Sequence, residues 1–363
     1  MFRNLVIAAF VSSVLFLYFC SSVQAQDTTI GGHINLTLYD YKDGESDGRK
    51  GYEYTGMGLR EFILYLSSEV SDKLSVDIQP VFDTETGATP RFGRALGETK
   101  KSAGTIDPKF AGWRKAVVTM LLPREYELSA GMIKPRFTWE YGAELFWEDE
   151  HIGGKFAIND YLGAMHETGI ELYKPFELGA VSLPSYLYIL NGGSNEYADN
   201  NNGPLVMLHA EPETGALKFQ GSFAAGKHDD GNKNTVYRYS AGVAWEGSAF
   251  SARAEYAGGT WEKSIEGVKD AVANGYYAKV FYRFAPWGRA MLHYDFADMN
   301  FNDINYTKRG GEEYTTITPG IQINVASSSA LQIQYDIADW KRVDGSGRKL
   351  KFTRLAAGWR VTF

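Results

Sequence analysis

A regular alternation of apolar and polar residues recurs along this chain and predicts β-strands throughout. It is clearest in residues 317–325, where Ile317 and Ile321 belong to the apolar set and Thr318 and Gln322 to the polar set. Similar alternation is found in residues 62–66, 74–78, 276–284, 331–337 and 355–363. A strand with this period has one apolar face and one polar face. Repeated segments of about ten residues with this pattern are typical of membrane-spanning β-barrels.

Short and long connections alternate between these segments and predict the number of strands. The short connections, typical of periplasmic turns, lie at 71–73, 123–124, 177–179, 212–215, 247–248, 285–287 and 326–328. The longer connections, typical of extracellular loops, lie at 43–53, 85–109, 137–165, 191–203, 228–233, 261–271, 299–311 and 342–348. Seven turns and eight loops make fifteen connections, hence sixteen strands. The predicted fold is all-β, a transmembrane antiparallel β-barrel of about 16 strands over residues 26–363.

The N-terminal residues 1–25 have the features of a secretory signal peptide. Arg3 precedes an apolar run at residues 5–19, and small residues around Ala25 suit a cleavage site. We therefore expect cleavage after Ala25; the alternative is an uncleaved N-terminal helix. Cys20 is the one cysteine of the chain and lies in this segment, so the expected mature chain has no disulfide.

Charge and composition disfavour several classes of protein. Removing residues 1–25 removes one of the 37 basic residues and leaves 36 against 44 acidic residues, a formal net charge of −8. This acidic balance disfavours a nucleic-acid-binding protein. The expected mature chain contains no apolar run of about 18 residues, so we predict no helical membrane span. A share of 14% aromatic residues suits a wall that is apolar outside and wet inside.

The alternative fold is a soluble all-β protein with one solvated face. Such a sheet needs a second layer to cover its apolar face, and no helical segment of this sequence supplies one. Aromatic residues near the predicted strand ends favour the membrane barrel, where they form two interfacial girdles. On the turn side these are Trp245, Phe284, Trp287, Trp359 and Phe363, and on the loop side Tyr39, Tyr237, Trp261 and Trp340.

Two segments resemble known bacterial porins. The last strand ends on Phe363 and resembles the final strand of outer-membrane barrels, whose tail is read by the assembly machinery. Gly131, Lys134, Pro135 and Phe137 resemble the fifth-strand segment of the phosphate-selective O/P porin group. The chain as a whole resembles sixteen-stranded porins. That resemblance implies an outer-membrane location in a Gram-negative cell, a homotrimer, and a third loop folded into the bore.

The long connection from Thr138 to Met165 corresponds to that third loop. Its aromatic residues are suited to anchoring it to the wall, and we expect it to narrow the channel. The acidic residues predicted to set the charge of this constriction loop are Glu140, Glu144, Glu148, Asp149 and Glu150. The alternative is a surface loop that is acidic only because loops are polar.

The strand period also predicts which charges point into the lumen. With the apolar positions outward, the inward basic residues are Arg238, Arg253, Lys279, Arg283, Arg289, Arg354 and Arg360. Glu255, Asp295 and Asp336 share this face and neutralise part of the set. An acidic loop opposite a basic wall creates a transverse field that favours small polar solutes. The alternative for each basic residue is a structural ion pair within the lumen.

These observations predict a passive channel for small hydrophilic solutes or ions, without covalent chemistry. The alternatives are an anion- or phosphate-selective porin, a barrel sheathing a periplasmic electron-transfer partner, and an outer-membrane enzyme. The six histidines lack zinc-ligand spacing, so we expect neither a metal centre nor a cofactor. Oxygen ligands two apart in residues 228–234 leave a loop calcium site open.

Overall fold

The computed structural model describes residues 27–43, 53–83, 109–139, 167–191, 203–227, 234–265, 269–300, 312–342 and 349–362. The expected signal segment 1–25 lies outside these ranges. Within them the chain forms one antiparallel sheet and a single 3-10 turn, Pro123–Glu125. In these ranges we find no helical segment with the length and hydrophobicity of a membrane span.

The sheet contains seventeen strand segments. They are β1 Asp27–Asp43, β2 Glu53–Ser71, β3 Leu74–Asp83, β4 Lys109–Leu122, β5 Tyr126–Ile133, β6 Glu167–Leu178, β7 Val181–Leu190, β8 Leu205–Ala210, β9 Glu213–Thr214, β10 Leu217–Lys227, β11 Thr235–Glu246, β12 Phe250–Ile265, β13 Lys269–Ala285, β14 Gly288–Asn300, β15 Glu312–Ala326, β16 Ser329–Arg342 and β17 Lys349–Thr362. Each segment is antiparallel to its neighbours.

Segments β8 and β9 are two parts of one interrupted strand. Both pair with β7 on one side and β10 on the other, and the register with β7 is unchanged from Ala210 to Glu213. The interruption contains Pro212, which has no backbone N–H to donate to the ladder. The N–H of Glu211 still donates to the carbonyl oxygen of Pro184 at 2.9 Å. Counted this way, the sheet has sixteen strands, and the predicted number is confirmed.

The sheet closes on itself. The first strand, β1, pairs with β2 on one side and with the last strand, β17, on the other, where Leu36 lies opposite Trp359. Within the described residues, each strand pairs with the strands that precede and follow it in the sequence, with β8 and β9 counted as one strand. Closure leaves no strand edge unpaired, which is what a β-structure needs when no water is available to its backbone. The predicted antiparallel barrel is therefore confirmed.

The two faces of the wall differ as the alternation predicts. On β16 the side chains of Ile333, Tyr335 and Ile337 are exposed on the exterior, whereas Gln334 and Asp336 are buried on the inner face. Strands β11 to β15 show the same division between apolar exterior and polar interior. The alternation therefore has a direct structural meaning: the barrel has an apolar outside and a polar inside.

Several strands are longer than the ten residues expected from the apolar pattern. Strand β2 has 19 residues and β13 has 17. The predicted loop at 261–271 is largely strand, because β12 extends to Ile265 and β13 begins at Lys269. Backbone pairing does not require an apolar face, so the ladder continues where the side-chain pattern has already ended. Six of the seven predicted turns lie where consecutive strands meet. The prediction at 212–215 was misplaced, because Glu213 and Thr214 still pair as β9 and the chain turns after Thr214.

One of the predicted girdle residues is placed differently. Trp245, Trp287 and Trp359 on the turn side are about half exposed on the exterior, as expected. Trp261 was expected on the loop-side exterior, and this was wrong. It lies on the inner face, with the Arg238 guanidinium 5.4 Å from its ring centroid. Its position has the parity of the inward Glu255. The side chains of Tyr39, Trp340 and Phe363 lie outside the described part of the chain.

Candidate functional site in the barrel interior

The residues that follow β5 cross the interior of the barrel. We call residues 134–139 the inward segment. The backbone oxygen of Phe137 accepts hydrogen bonds from Ser222 Oγ at 2.8 Å and Ser240 Oγ at 2.5 Å. Those serines lie on β10 and β11, whereas the wall neighbours of β5 are β4 and β6. The chain therefore leaves the wall after Ile133 and reaches strands well beyond its wall neighbours, which confirms an in-folded third loop for these residues.

An apolar anchor holds the start of the inward segment. The side chain of Phe137 is fully buried in a cluster that includes Tyr188, Leu205 and Met207 from β7 and β8. The backbone N–H of Arg136 lies 3.4 Å from the hydroxyl oxygen of Tyr188, to which it donates. These contacts combine apolar burial with backbone hydrogen bonds, so this crossing has a defined path.

The end of the inward segment rests on β11 and β12. The backbone N–H of Trp139 donates to Glu255 Oε1 at 3.1 Å, and the Arg253 guanidinium lies 5.1 Å from the Trp139 ring centroid. Gly242 leaves space for the indole, because a Cβ there would lie 2.7 Å from a ring carbon. Gln220 donates to the same Glu255 oxygen at 2.5 Å. The inner faces of β10, β11 and β12 thus form the surface on which residues 137–139 pack.

The acidic part of the third loop lies outside the described residues. This applies to every residue of the predicted constriction set, Glu140, Glu144, Glu148, Asp149 and Glu150. The last described residue before them is Trp139, which contacts Arg253 on the inner wall. The acidic constriction therefore remains a prediction, whereas the position of Trp139, the residue directly before it, is defined.

The predicted basic residues of β11 to β13 lie on the inner face. Arg238 and Lys279 are buried, and Arg253 is half-buried beside Trp139. The Nζ of Lys279 lies 5.2 Å from the ring centroid of Tyr277. These aromatic contacts place each cation against a ring face, an electrostatically favourable position.

The remaining basic residues lie closer to the turn side or on the last strand. Arg283 and Arg289 are opposite each other on β13 and β14. Arg289 donates through Nη2 to Gln322 Oε1 at 2.8 Å, and its guanidinium lies over the Phe281 ring at 4.6 Å. Arg360 lies on β17, opposite Ala330. Sequence parity thus brings these side chains to one face without joining them in one cluster.

Arg354 makes the structural ion pair considered above as the alternative. Its Nε donates to Asp336 Oδ2 at 2.6 Å, and both side chains are almost fully buried. Thr318 and Gln334 each donate to the other carboxylate oxygen of Asp336 at 2.9 Å. A buried carboxylate that accepts this many hydrogen bonds is well satisfied, so this network stabilises the wall.

The interior also contains a cavity that the sequence analysis did not identify. Its volume is about 350 Å³, and it lies on the inner face of β3 to β7, next to the inward segment. It is lined by Ser75, Asp77, Gln79, Lys115, Val117, Thr119, Glu127, Ser129, Ile133, Lys134, Arg136, Glu171, Tyr173 and Tyr186. Among these, the sequence analysis named only Lys134 individually, as part of the segment that resembles a porin fifth strand.

The cavity was missed because its strands alternate less clearly. On β4 the inward positions include both Lys115 and the apolar Val117, so the direction of each face is ambiguous in the sequence. Lys115 Nζ lies 3.6 Å from Asp77 Oδ2, and the Thr119 and Ser129 hydroxyls are 2.7 Å apart. Pairs of inward polar residues on adjacent strands were the available signal, and it requires the register to be known.

Among the described residues, no group of three or more His, Cys, Asp or Glu is arranged to hold a metal ion.

Comparisons with known proteins identify the fold. No family model matches this sequence. No curated protein matches it either. Many solved structures are similar to this chain, and three of them serve as examples. An anion-selective porin from Comamonas acidovorans is 15% identical, with a TM-score of 0.62 over 93% of this chain and 99% of that one.

The outer-membrane channel DcaP of Acinetobacter baumannii is 13% identical, with a TM-score of 0.60 over 93% and 97% of the two chains. A trimer form of OmpT from Vibrio cholerae is 12% identical, with a TM-score of 0.58 over 93% and 100%. At such low identities the similarity establishes the fold. The chain has the β-barrel fold of outer-membrane porins, and the resemblance is confirmed at that level. The phosphate-selective O/P group is not singled out.

Proposed function

We propose that this protein is an outer-membrane porin that lets small hydrophilic solutes or ions diffuse passively through its barrel. The observation that carries this proposal is the inward segment, which crosses from β5 to Ser222 and Ser240 inside a closed barrel. The polar inner face replaces water contacts that a solute loses on leaving bulk solvent. The crossing segment limits the width of that path. No covalent step is needed for this role.

The proposed constriction is acidic. The acidic stretch begins at Glu140, directly after Trp139, whose ring lies against Arg253. In this proposal the carboxylates that follow Trp139 oppose the basic residues of the inner wall, among which are the buried Arg238 and Lys279. Opposed charges in a narrow passage produce a transverse field that orients dipolar solutes.

The proposed location is the outer membrane of a Gram-negative cell, after export directed by residues 1–25. DcaP and OmpT are both described as outer-membrane proteins, which supports this location. We also propose recognition of the terminal Phe363 by the outer-membrane assembly machinery and assembly as a homotrimer. The trimer form of the OmpT structure supports the latter. Outer-membrane lipid contacts the exterior in this proposal.

Liposome swelling tests the proposed function. Liposomes that contain the mature chain, residues 26–363, should swell in isosmotic solutions of small polar solutes, and the rate should fall as solute size rises. A plugged scaffold or an enzyme with a closed interior gives no swelling above that of protein-free liposomes. That result would contradict the porin proposal.

Reversal potential under a salt gradient tests the acidic constriction separately. The triple variant Glu144→Gln, Glu148→Gln, Asp149→Asn should shift the preference toward anions, because three negative charges leave the passage. Asp72→Asn, in the exposed β2–β3 turn, is the control and should leave the potential unchanged. An unchanged potential in the triple variant would remove the constriction assignment. Strong anion preference in the unmodified protein would favour the anion-selective alternative.

A further inference from the structure

We propose that the cavity beside the inward segment binds the ring of a neutral sugar in its pyranose form. This inference rests on the proposed porin function and names a solute class for it. The cavity volume of about 350 Å³ lies at the lower end of the range of small-molecule pockets, roughly 300–1,000 Å³. One side is formed by β3 to β7 and another by Lys134 and Arg136 of the inward segment. A solute that passes the segment on this side meets the cavity.

The charges that line the cavity balance. Three carboxylates, Asp77, Glu127 and Glu171, are matched by three cations, Lys115, Lys134 and Arg136.

Lys115 and Arg136 each lie near a carboxylate. Lys115 lies 3.6 Å from Asp77, and Arg136 lies 3.7 Å from Glu211. Because the lining carries equal numbers of opposite charges, an ion of either sign gains little from its net charge. The same groups remain hydrogen-bond donors and acceptors for hydroxyls.

Two tyrosine rings supply the aromatic part of the cavity. Tyr173 and Tyr186 lie opposite each other on β6 and β7, with ring centroids 4.8 Å apart. Tyr186 has two further neighbours: its ring is parallel to that of Tyr188 within 6°, at 6.0 Å, and the Arg136 guanidinium lies 5.3 Å from its centroid. Ring orientation is therefore set before any solute arrives, which lowers the entropic cost of binding.

This combination fits one chemical class. A pyranose has a flat face of C–H groups, which packs on aromatic rings, and a rim of hydroxyls. Around the two rings, Ser75, Gln79, Thr119 and Ser129 add neutral polar groups to the charged pairs. An acyclic polyol offers the hydroxyls without the rigid apolar face. The two tyrosine rings therefore favour a cyclic sugar over an open-chain one.

A purely structural role for the tyrosines is the competing explanation. Tyr188 shows what that role looks like: it is fully buried and its hydroxyl accepts the N–H of Arg136. Tyr173 and Tyr186 instead line the open cavity. A conservative change at Tyr173 separates the two explanations, because leucine keeps apolar volume but has no ring face.

The test uses the mature chain in planar bilayers and compares two neutral probes, glucose and mannitol. Glucose should reduce the small-ion current with a saturable dependence on concentration, whereas mannitol should act only through viscosity. Tyr173→Leu should raise the half-saturating glucose concentration about threefold to tenfold, the range expected for the loss of one aromatic contact. Tyr256→Leu, on the apolar exterior, is the matched control and should leave it unchanged.

Several results would overturn the inference while the porin function stands. These are a conducting channel in which glucose acts no differently from mannitol, a glucose response unaffected by Tyr173→Leu, or saturable block by alanine in place of glucose. If the protein does not conduct, the porin proposal fails, and calorimetric titration of the detergent-folded protein with glucose and mannitol still decides the question. A heat of glucose binding that is smaller in the Tyr173→Leu variant would support the cavity as a sugar site. The absence of any heat of binding with glucose would refute it.

Discussion

The hydroxyl of Ser240 donates a hydrogen bond of 2.5 Å to the backbone oxygen of Phe137, although 103 positions separate the two residues in the chain. Phe137 follows β5, and Ser240 lies in β11. This contact spans the interior of the barrel, so it ties the path of the third loop to the inner wall. Most of the mechanism proposed above depends on that tie.

Removing both serine donors should loosen the inward segment. In the double variant Ser222→Ala, Ser240→Ala the buried carbonyl of Phe137 loses two hydroxyl donors, a loss of roughly 1–3 kcal/mol. We expect a higher and noisier single-channel conductance than in the unmodified protein. Ser68→Ala, which removes a 3.1 Å hydroxyl contact between β1 and β2, should leave conductance unchanged. Identical conductance in the double variant would show that the segment does not limit the path.

Gly242 should be required for the seating of Trp139. A Cβ at this position would lie 2.7 Å from the indole, closer than side chains tolerate, so Gly242→Ala should displace the ring. We expect altered conductance and a shift in tryptophan fluorescence emission. Gly221→Ala on the adjacent strand is the matched control, because no atom lies within 4 Å of a Cβ there. Equal behaviour of the two variants would contradict the placement of Trp139.

The buried pair of Asp336 and Arg354 should matter for stability. Asp336→Asn leaves a buried guanidinium without its carboxylate, which typically costs about 3–5 kcal/mol. The midpoint of urea unfolding in lipid vesicles should fall accordingly. Asp339→Asn on the same strand affects an exposed pair with Lys351 and should cost at most about 1 kcal/mol. The double variant Asp336→Asn, Arg354→Gln should recover part of the loss, and two equally mild single variants would argue against a buried network.

Gly131 should resist substitution for a backbone reason. Its φ is +136°, and a Cβ would lie 2.1 Å from the carbonyl oxygen of Ala116 on β4. Gly131→Ala therefore forces β4 and β5 apart, and we expect a large fall in folding yield, measured by the gel-mobility shift of the folded barrel. Gly215→Ala, at a turn with φ of +58° and open space around it, should fold with at most about 1–3 kcal/mol of strain. Normal folding of Gly131→Ala would contradict this register.

Much of the fold could be predicted because the side of the barrel wall on which a residue lies follows from its position in the strand. Each residue of a strand faces either lipid or lumen, so Ile333 and Gln334 reveal their sides without any long-range information. The inward placement of Arg238 and Lys279 follows from the same parity. Trp261 was assigned wrongly because chemical type was weighed above parity: an aromatic residue near a strand end was taken for a girdle residue.

The candidate sugar site could not be predicted in the same way. Tyr173, Tyr186 and Lys115 lie on three strands, and their proximity depends on register and on the path of the inward segment. That path is set by contacts such as Phe137 with Ser240, which no local pattern encodes. The residues of the acidic constriction, in contrast, were predicted from the sequence, and they lie outside the described part of the chain.

Single-channel recording of residues 26–363 in planar bilayers is the decisive experiment for the proposed channel. A water-filled path through the closed barrel predicts discrete, stable current steps whose size rises in proportion to the electrolyte concentration. Folding of the same sample is verified by its β-rich circular dichroism. The absence of any step from protein shown to be folded and inserted would contradict the account.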